Sequence, residues 1–452
     1  MSEVKISGLP AASGLTGAEL VPVVQSGATV QTTVSAMTSG MVNVKSFGAT
    51  GDGATNDTVA VQAAFTWAQN NPVNPDTLNS GYWPAERTIY FPSGVYVLSS
   101  QITCTHGVSM CGDSMNSTKV LFTAAGGFLI SSTAPTPTTT IRDMTFEAQA
   151  PNCGTAIKIV RPPNASGIWP TVILQNLLIH SRLYGNYWNT GINLQDCWNA
   201  EANNITVLGG GASYPATTEW LTSGIEISSL AASVLPAAVG LFTNINVNRA
   251  QKAINCTAYH LEGLFLTNFN FVDVTDGIYI NETASGDELL EVVLDNGHIN
   301  GRGYLLNFNR VTSVSIRGVE LYLYLFTAGA RCISVLTGEQ VSLDGRCRLV
   351  RSTYSGGGAS NARGLYVATS ERLTVAPEVH FEGFVGTGDA YVEILNTPDT
   401  FLFDAPGVFN CTAVTLPVKT AARWRGSVTG AATGNLGAGF TYPNQPYMLS
   451  GS

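Results

Sequence analysis

Gly191-Ile192-Asn193-Leu194-Gln195 returns along the chain as Gly224-Ile225-Glu226-Ile227-Ser228, Ala253-Ile254-Asn255-Cys256-Thr257 and Gly277-Ile278-Tyr279-Ile280-Asn281. Looser copies begin at Gly303, Arg331 and Gly364, so successive starts lie 33, 29, 24, 26, 28 and 33 residues apart. Each copy alternates apolar and polar residues and ends in a turn residue, which is the pattern of a short strand. A second family of strand starts interleaves with the first: Asn204-Ile205-Thr206-Val207, Asn244-Ile245-Asn246-Val247, Asn268-Phe269-Asn270-Phe271, Gly297-His298-Ile299-Asn300 and Gly318-Val319-Glu320-Leu321. Helical periodicity is nearly absent from this region. One such turn cannot bury its inward face alone, whereas stacked turns share a continuous core. The pattern predicts a β-solenoid over residues 101–400.

The alternation sorts the solenoid's side chains. In the first family it points Asn193, Glu226, Asn255 and Tyr279 outward in one column. In the second it points Thr206, Asn246, Asn270, His298 and Glu320 outward in another. A slip of one residue inverts both assignments.

Composition narrows the function classes. The chain has 452 residues, of which 12% are charged, 44% are hydrophobic and 47 are Gly. That balance excludes bulk disorder. With 22 Lys+Arg against 31 Asp+Glu there is no cationic surplus for nucleic acid. No stretch reaches the roughly 20 apolar residues of a membrane span, and the first residues lack a secretion-signal pattern. The eight cysteines form no C-x-x-C motif and read as reduced core residues. The five histidines show no zinc-type spacing, so neither metal nor cofactor is expected.

Before the solenoid the chain changes character twice. Residues 1–40 are small and almost uncharged, with short strands expected on either side of Ser26-Gly27. In residues 41–100, Ala60, Val61, Ala64, Phe65 and Ala68 recur at helical spacing, predicting a helix over about 58–70 with Asn56 or Asp57 as N-cap. Residues 401–452 lose the strand pattern and read as a C-terminal tail or subunit contact.

Two stretches carry a resemblance. Val44-Lys45-Ser46-Phe47-Gly48-Ala49-Thr50-Gly51-Asp52-Gly53 with Asn56-Asp57-Thr58, and then Ile89-Tyr90-Phe91-Pro92-Ser93-Gly94-Val95-Tyr96, resemble the opening of the pectate-lyase-like superfamily of right-handed parallel β-helices. This resemblance implies an all-β, right-handed parallel β-helix with an N-terminal helical cap. The segment KISGLPAA…LTGAELVPVVQ…TVQTTVSA is similar to the start of bacteriophage tail fibre and tailspike proteins. That likeness implies a virion tail protein, assembled in host cytoplasm and joined to other tail or baseplate proteins through residues 1–40. It also implies a homotrimer that binds, and often cleaves, bacterial surface polysaccharide.

Cleavage by hydrolysis needs two carboxylates, one acid and one base or nucleophile. The candidates are Glu226, Asp273 and Glu320, with His298 one turn from Glu320 as a general base. Each has a structural alternative. Glu226 also fits a polar ladder, and His298 with Glu320 also fits a surface hydrogen bond. Lys252, Asp276 and Arg302 read as an ion ladder, which leaves Asp273 as the less explained acid. Sugar rings stack on aromatic faces, and Tyr184, Tyr187, Trp188, Trp198, Tyr214 and Trp220 cluster in sequence, so they are the glycan-binding candidates. The same rings also suit a core or a subunit seam. The sequence has no adjacent Asp-Asp, no Asn-Thr-Asp and no Gly-His-Gly, so the resemblance lends no catalytic residue. The reading is a glycan-recognising tailspike, with hydrolysis favoured over elimination. The alternative is a non-catalytic receptor-binding or purely structural spike.

Overall fold

A computed structural model describes residues 20–25, 27–33, 41–71, 87–105, 107–131, 138–161, 171–181, 185–211, 220–229, 239–257, 261–281, 291–352, 361–384, 388–395, 400–403, 408–409, 422–424 and 427–428. The chain coils as a parallel β-helix in which three sheets surround one core. The first sheet stacks Ile102–Cys104, Gly126–Ser131, Gly154–Val160, Thr190–Gln195 and Leu221–Ser228, and continues through Tyr304–Phe308, Arg331–Val335, Arg363–Val367 and Ala390–Ile394. The long strands Val239–Cys256 and Gly263–Ile280 supply the intervening rungs with their C-terminal ends. The second and third sheets are the two halves of strands such as Thr138–Ala148, Thr171–Ser181 and Val311–Leu323, divided at a corner.

Alternation explains the core. Ile157, Ile192, Ile225, Ile254, Ile278, Leu306, Ile333, Leu365 and Val392 stand in register on the inner face of the first sheet, each at most 2% exposed. Full burial of each such side chain contributes about 1.5–3 kcal/mol. The two outward columns predicted from alternation are in register as expected. The repeat starts need one correction. Leu305 and Cys332, rather than Gly303 and Arg331, hold the position of Gly277, because Ile278 pairs with Leu306 and Leu306 with Ile333. Both are fully buried, so that inward position tolerates a side chain in the upper turns.

The corner between the second and third sheets has its own chemistry. Asp143, Asn176, Asn204, Asn244, Asn268, Asn296, Gly318 and Gly345 all have φ between 52° and 63° there. Asn, Asp and Gly are the residues that take this left-handed conformation at low cost. The amides also link successive turns. Asn176 Nδ2 donates to Asp143 Oδ1 at 2.8 Å, Asn204 Nδ2 to Asn176 Oδ1 at 2.9 Å, and Asn296 Nδ2 to Asn268 Oδ1 at 2.5 Å. The asparagines that open the second family of strands are therefore corner residues.

The N-terminal end is closed by helix α1, Thr58–Asn70, as predicted. It buries Val61, Ala64, Phe65 and Ala68, and the Phe65 ring lies 5.6 Å from Phe128. Gln62 accepts from Thr103 N–H and donates to Thr103 C=O, both at 2.9 Å, while Gln69 accepts from Thr105 N–H at 3.1 Å. These amides pair the edge of the first strand of the first sheet, which would otherwise invite another chain. Asp57 sits at the N-cap position, but its carboxylate turns away to accept from the Thr50 and Gly51 N–H groups, and Asn56 Oδ1 accepts from Thr58 N–H. The two short strands expected on either side of Ser26-Gly27 are present, Leu20–Gln25 pairing antiparallel with Ala28–Thr33. Seven cysteines are buried and not in disulfides among the described residues, and Cys411 lies outside those residues.

Candidate functional site

The outer face of the first sheet carries one unbroken column: Lys158, Asn193, Glu226, Asn255, Tyr279, Asn307, Ser334, Tyr366 and Glu393, each paired in register with the next. Parallel strands repeat at about 4.8 Å, so the column runs the length of the solenoid. Asn193, Asn255 and Asn307 are buried to 8–9% exposure, whereas Glu226, Tyr279 and Tyr366 are half-buried. Asn193 Oδ1 accepts from Ser228 Oγ at 3.2 Å. Among the described residues the buried Asn255 Oδ1 has no hydrogen-bond partner, and neither has Ser223 Oγ one rung below Lys252. Lys252 Nζ sits 3.9 Å above the Tyr279 ring.

The four acid–base candidates do not converge. Glu226 lies mid-column between two asparagines. Among the described residues it has neither an ion pair nor a hydrogen bond. Asp273 sits at the corner leading into the first sheet, at φ 55°, with Arg302 Nη2 3.8 Å away. His298 and Glu320 are on the third sheet. His298 Nδ1 is 3.2 Å from Glu320 Oε2, Arg348 donates to Glu320 at 2.7 Å and to Glu382 at 3.1 Å. All four of these groups are at least a third exposed, so each pair is worth about 0–1 kcal/mol. Glu320 is thus neutralised on a different face from Glu226.

The expected ion ladder is rearranged. Lys252 and Asp276 are in register, but Arg302 turns to Asp273 and stacks 4.5 Å over Trp220. Asp276 accepts instead from Tyr304 N–H at 2.7 Å. Burial pushes its carboxyl above the usual carboxylate range, against the opposing pull of that N–H and of Lys252. Alternation gives side-chain direction, but which rung a long side chain reaches depends on loop geometry.

The aromatic cluster disperses. Trp188 is 1% exposed, packs 5.4 Å from Phe122 and donates from Nε1 to His180 C=O, so its faces are inside the solenoid. Trp220 is 2% exposed beneath Arg302. Neither offers an open face, because Trp188 is drawn into the core and Trp220 is covered by the Arg302 guanidinium. Tyr187 and Trp198 are half-buried and flank the Thr190–Gln195 strand before and after. Tyr184 and Tyr214 lie outside the described residues. The sequence reading missed the rings of Tyr304 and Tyr366, which stand beside Arg331 on the first sheet's outer face. Among the described residues, no group of three or more His, Cys, Asp or Glu is placed to hold a metal ion.

The model of the rhamnogalacturonase A/epimerase, pectate lyase-like family matches residues 41–283, more than half of the chain. The chain belongs to this family. The match to this pectate lyase-like family starts at the first strand ahead of the helical cap and ends just beyond Tyr279. A curated relative, the non-secreted LysM effector LysM19 of Penicillium expansum, is 39% identical over 71 residues, which is 16% of this chain and 5% of that protein. Solved structures similar to this pectate lyase-like chain include ORF18 of Geobacillus virus E2, at 17% identity and TM-score 0.41, covering 79% of this chain and 68% of that one. The Dettilon tailspike protein matches at 12% identity and TM-score 0.43, over 77% and 70% of the two chains. The A-module of the Azotobacter vinelandii mannuronan C-5 epimerase AlgE6 matches at 15% identity and TM-score 0.38, over 86% and 98%. The fold assignment rests on this chain's own strand register and on the family match.

Proposed function

We propose that this chain is a bacteriophage tailspike that binds a host surface polysaccharide along the outer face of its first sheet. The carrying observation is the outward column from Lys158 to Glu393, which presents three amides, two tyrosine rings, two carboxylates, a serine and a lysine at the rung spacing. Amides and hydroxyls match sugar hydroxyls, and tyrosine faces match sugar C–H surfaces. The likeness of residues 1–40 to tail fibre and tailspike openings supports attachment of that end to the virion tail and baseplate, with three copies forming the spike.

Hydrolysis is the second reading, and Glu226 favours it as the candidate acid on this face that no described residue neutralises. Its register neighbours are Asn193 and Asn255, and the column's other carboxylate, Glu393, is six rungs away and paired with Arg363, so a second acid within reach would have to come from outside the column. The test incubates the protein with capsular and O-antigen polysaccharides and follows binding, new reducing ends and the ultraviolet absorbance of unsaturated sugars. Saturable binding without product supports a receptor-binding spike. Reducing ends that vanish in Glu226→Gln establish a hydrolase, and absorbance establishes a lyase. Absence of binding to every host glycan overturns the proposal.

A further inference from the structure

Most arginines on this solenoid that approach another side chain end on a carboxylate. Arg302 reaches Asp273, Arg348 reaches Glu320 and Glu382, Arg351 reaches Asp389 at 2.7 Å, and Arg363 reaches Glu393. Arg331 is different. Its guanidinium carbon lies 3.4 Å over the Tyr366 ring and 5.3 Å from the Tyr304 ring, between neighbouring rungs of the first sheet. Nη1 donates to Ser334 Oγ at 3.0 Å, and the buried Nε has no hydrogen-bond partner among the described residues. Among the described residues no carboxylate pairs with it.

Its surroundings sharpen the contrast. Arg331 pairs in register with Arg363, so the backbones of two arginines stand about 4.8 Å apart on adjacent rungs of the sheet. Arg363 is compensated by Glu393 and also donates to Gly388 C=O at 2.6 Å. Among the described residues the Arg331 guanidinium meets two ring faces and the Ser334 hydroxyl, and no carboxylate. Flat stacking holds a guanidinium rigid and leaves its edge to form paired hydrogen bonds with a planar anion. Ser334 itself belongs to the outward column, four rungs above Glu226, or about 19 Å away.

We infer that Arg331, held between Tyr304 and Tyr366, binds the carboxylate of an acidic sugar in the polysaccharide lying on the first sheet. The inference rests on the glycan reading above and adds to it a charge requirement at one place. The protein carries a net charge of −9, so an acidic glycan is repelled overall and must be selected locally. Recognition is therefore by a positioned donor rather than by a general field.

The test uses the full chain and a panel of purified bacterial capsular polysaccharides, acidic and neutral, with affinity measured by biolayer interferometry. The glycan that binds is then carboxyl-reduced, turning each uronate into a neutral alcohol, and measured again. The acidic form is expected to bind and the reduced form to bind roughly 10- to 100-fold more weakly, the scale of one charge-assisted contact. Arg331→Ala and Arg331→Gln should lose the same factor for the acidic glycan and nothing for the reduced one. Arg331→Lys should recover little of the loss, because an ammonium lacks the planar fork. Arg372→Ala, on the exposed second sheet, is the control and should bind as the native chain does. Carboxyl reduction changes the ligand alone, so a misfolded variant cannot mimic its result. Tight binding of a neutral glycan, or unchanged affinity after carboxyl reduction, overturns this inference and leaves the glycan reading standing. Absence of binding across the whole panel overturns both.

Discussion

Replacing Asn176 should loosen the solenoid at one corner by an amount that depends on which of its two roles is removed. Asn176 has φ 52°, donates to Asp143 and accepts from Asn204. Two lost hydrogen bonds cost about 0.5–1.5 kcal/mol each, toward the lower end where water can replace them. Placing a Cβ residue without a local polar group in the left-handed region costs about 1–2 kcal/mol more. Asn176→Ala therefore loses about 3 kcal/mol, and Asn176→Gly, which keeps the backbone at ease, about 2 kcal/mol. Native-state hydrogen exchange reads this locally at the amides of Leu177 and Ile205, which follow the corner on adjacent turns. At about 1.4 kcal/mol per factor of ten, protection should fall roughly 100-fold for Ala and roughly 30-fold for Gly. Equal losses for Ala and Gly would show that the backbone conformation carries no cost there. Native-like protection in both would refute the ladder as a source of stability.

Three further outcomes follow from the same geometry. Gln62→Ala should remove both hydrogen bonds that seal the Thr103 edge, cost about 1–3 kcal/mol at the cap, and make the cap region cleave faster in limited proteolysis than the solenoid body. Burial pushes the Cys197 thiol up to about 12, so it should resist iodoacetamide at pH 8 in the native protein and react only after unfolding. Asp52 is held at about 2 by the Thr55 and Ala54 N–H groups. Its contribution to stability is present above the unfolded carboxylate range and is lost as pH falls toward about 2, which carboxyl-carbon NMR titration should show as an inflection near that pH.

Fold was far more legible in this sequence than site. The Ile-x-Ile spacing around Asn193, Glu226, Asn255 and Tyr279 fixes direction because a strand repeats every two residues, and the register bears that out. The helix over residues 58–70 was equally plain from its apolar spacing. What spacing does not reveal is contact between turns. Arg302 was expected against Asp276 and lies against Asp273, because the choice between two acids three residues apart is made at a corner. Trp188 fitted either a sugar-facing ring or a core ring in the sequence, and it is buried, because ring size alone does not say which side of a connection it packs on. Arg331, Tyr304 and Tyr366 come together across rungs 27 to 35 residues apart, and the misplaced starts at Gly303 and Arg331 hid that meeting.

The most direct test of the account is a hydrogen-exchange footprint of the full chain with and without its bound host polysaccharide. Slowed exchange should fall along the first sheet, on segments containing Asn193, Glu226, Asn255, Tyr279, Asn307 and Ser334, with the third-sheet segments around His298 and Glu320 unchanged. A footprint centred on His298, Glu320 and Arg348, with the first sheet unaffected, would contradict it.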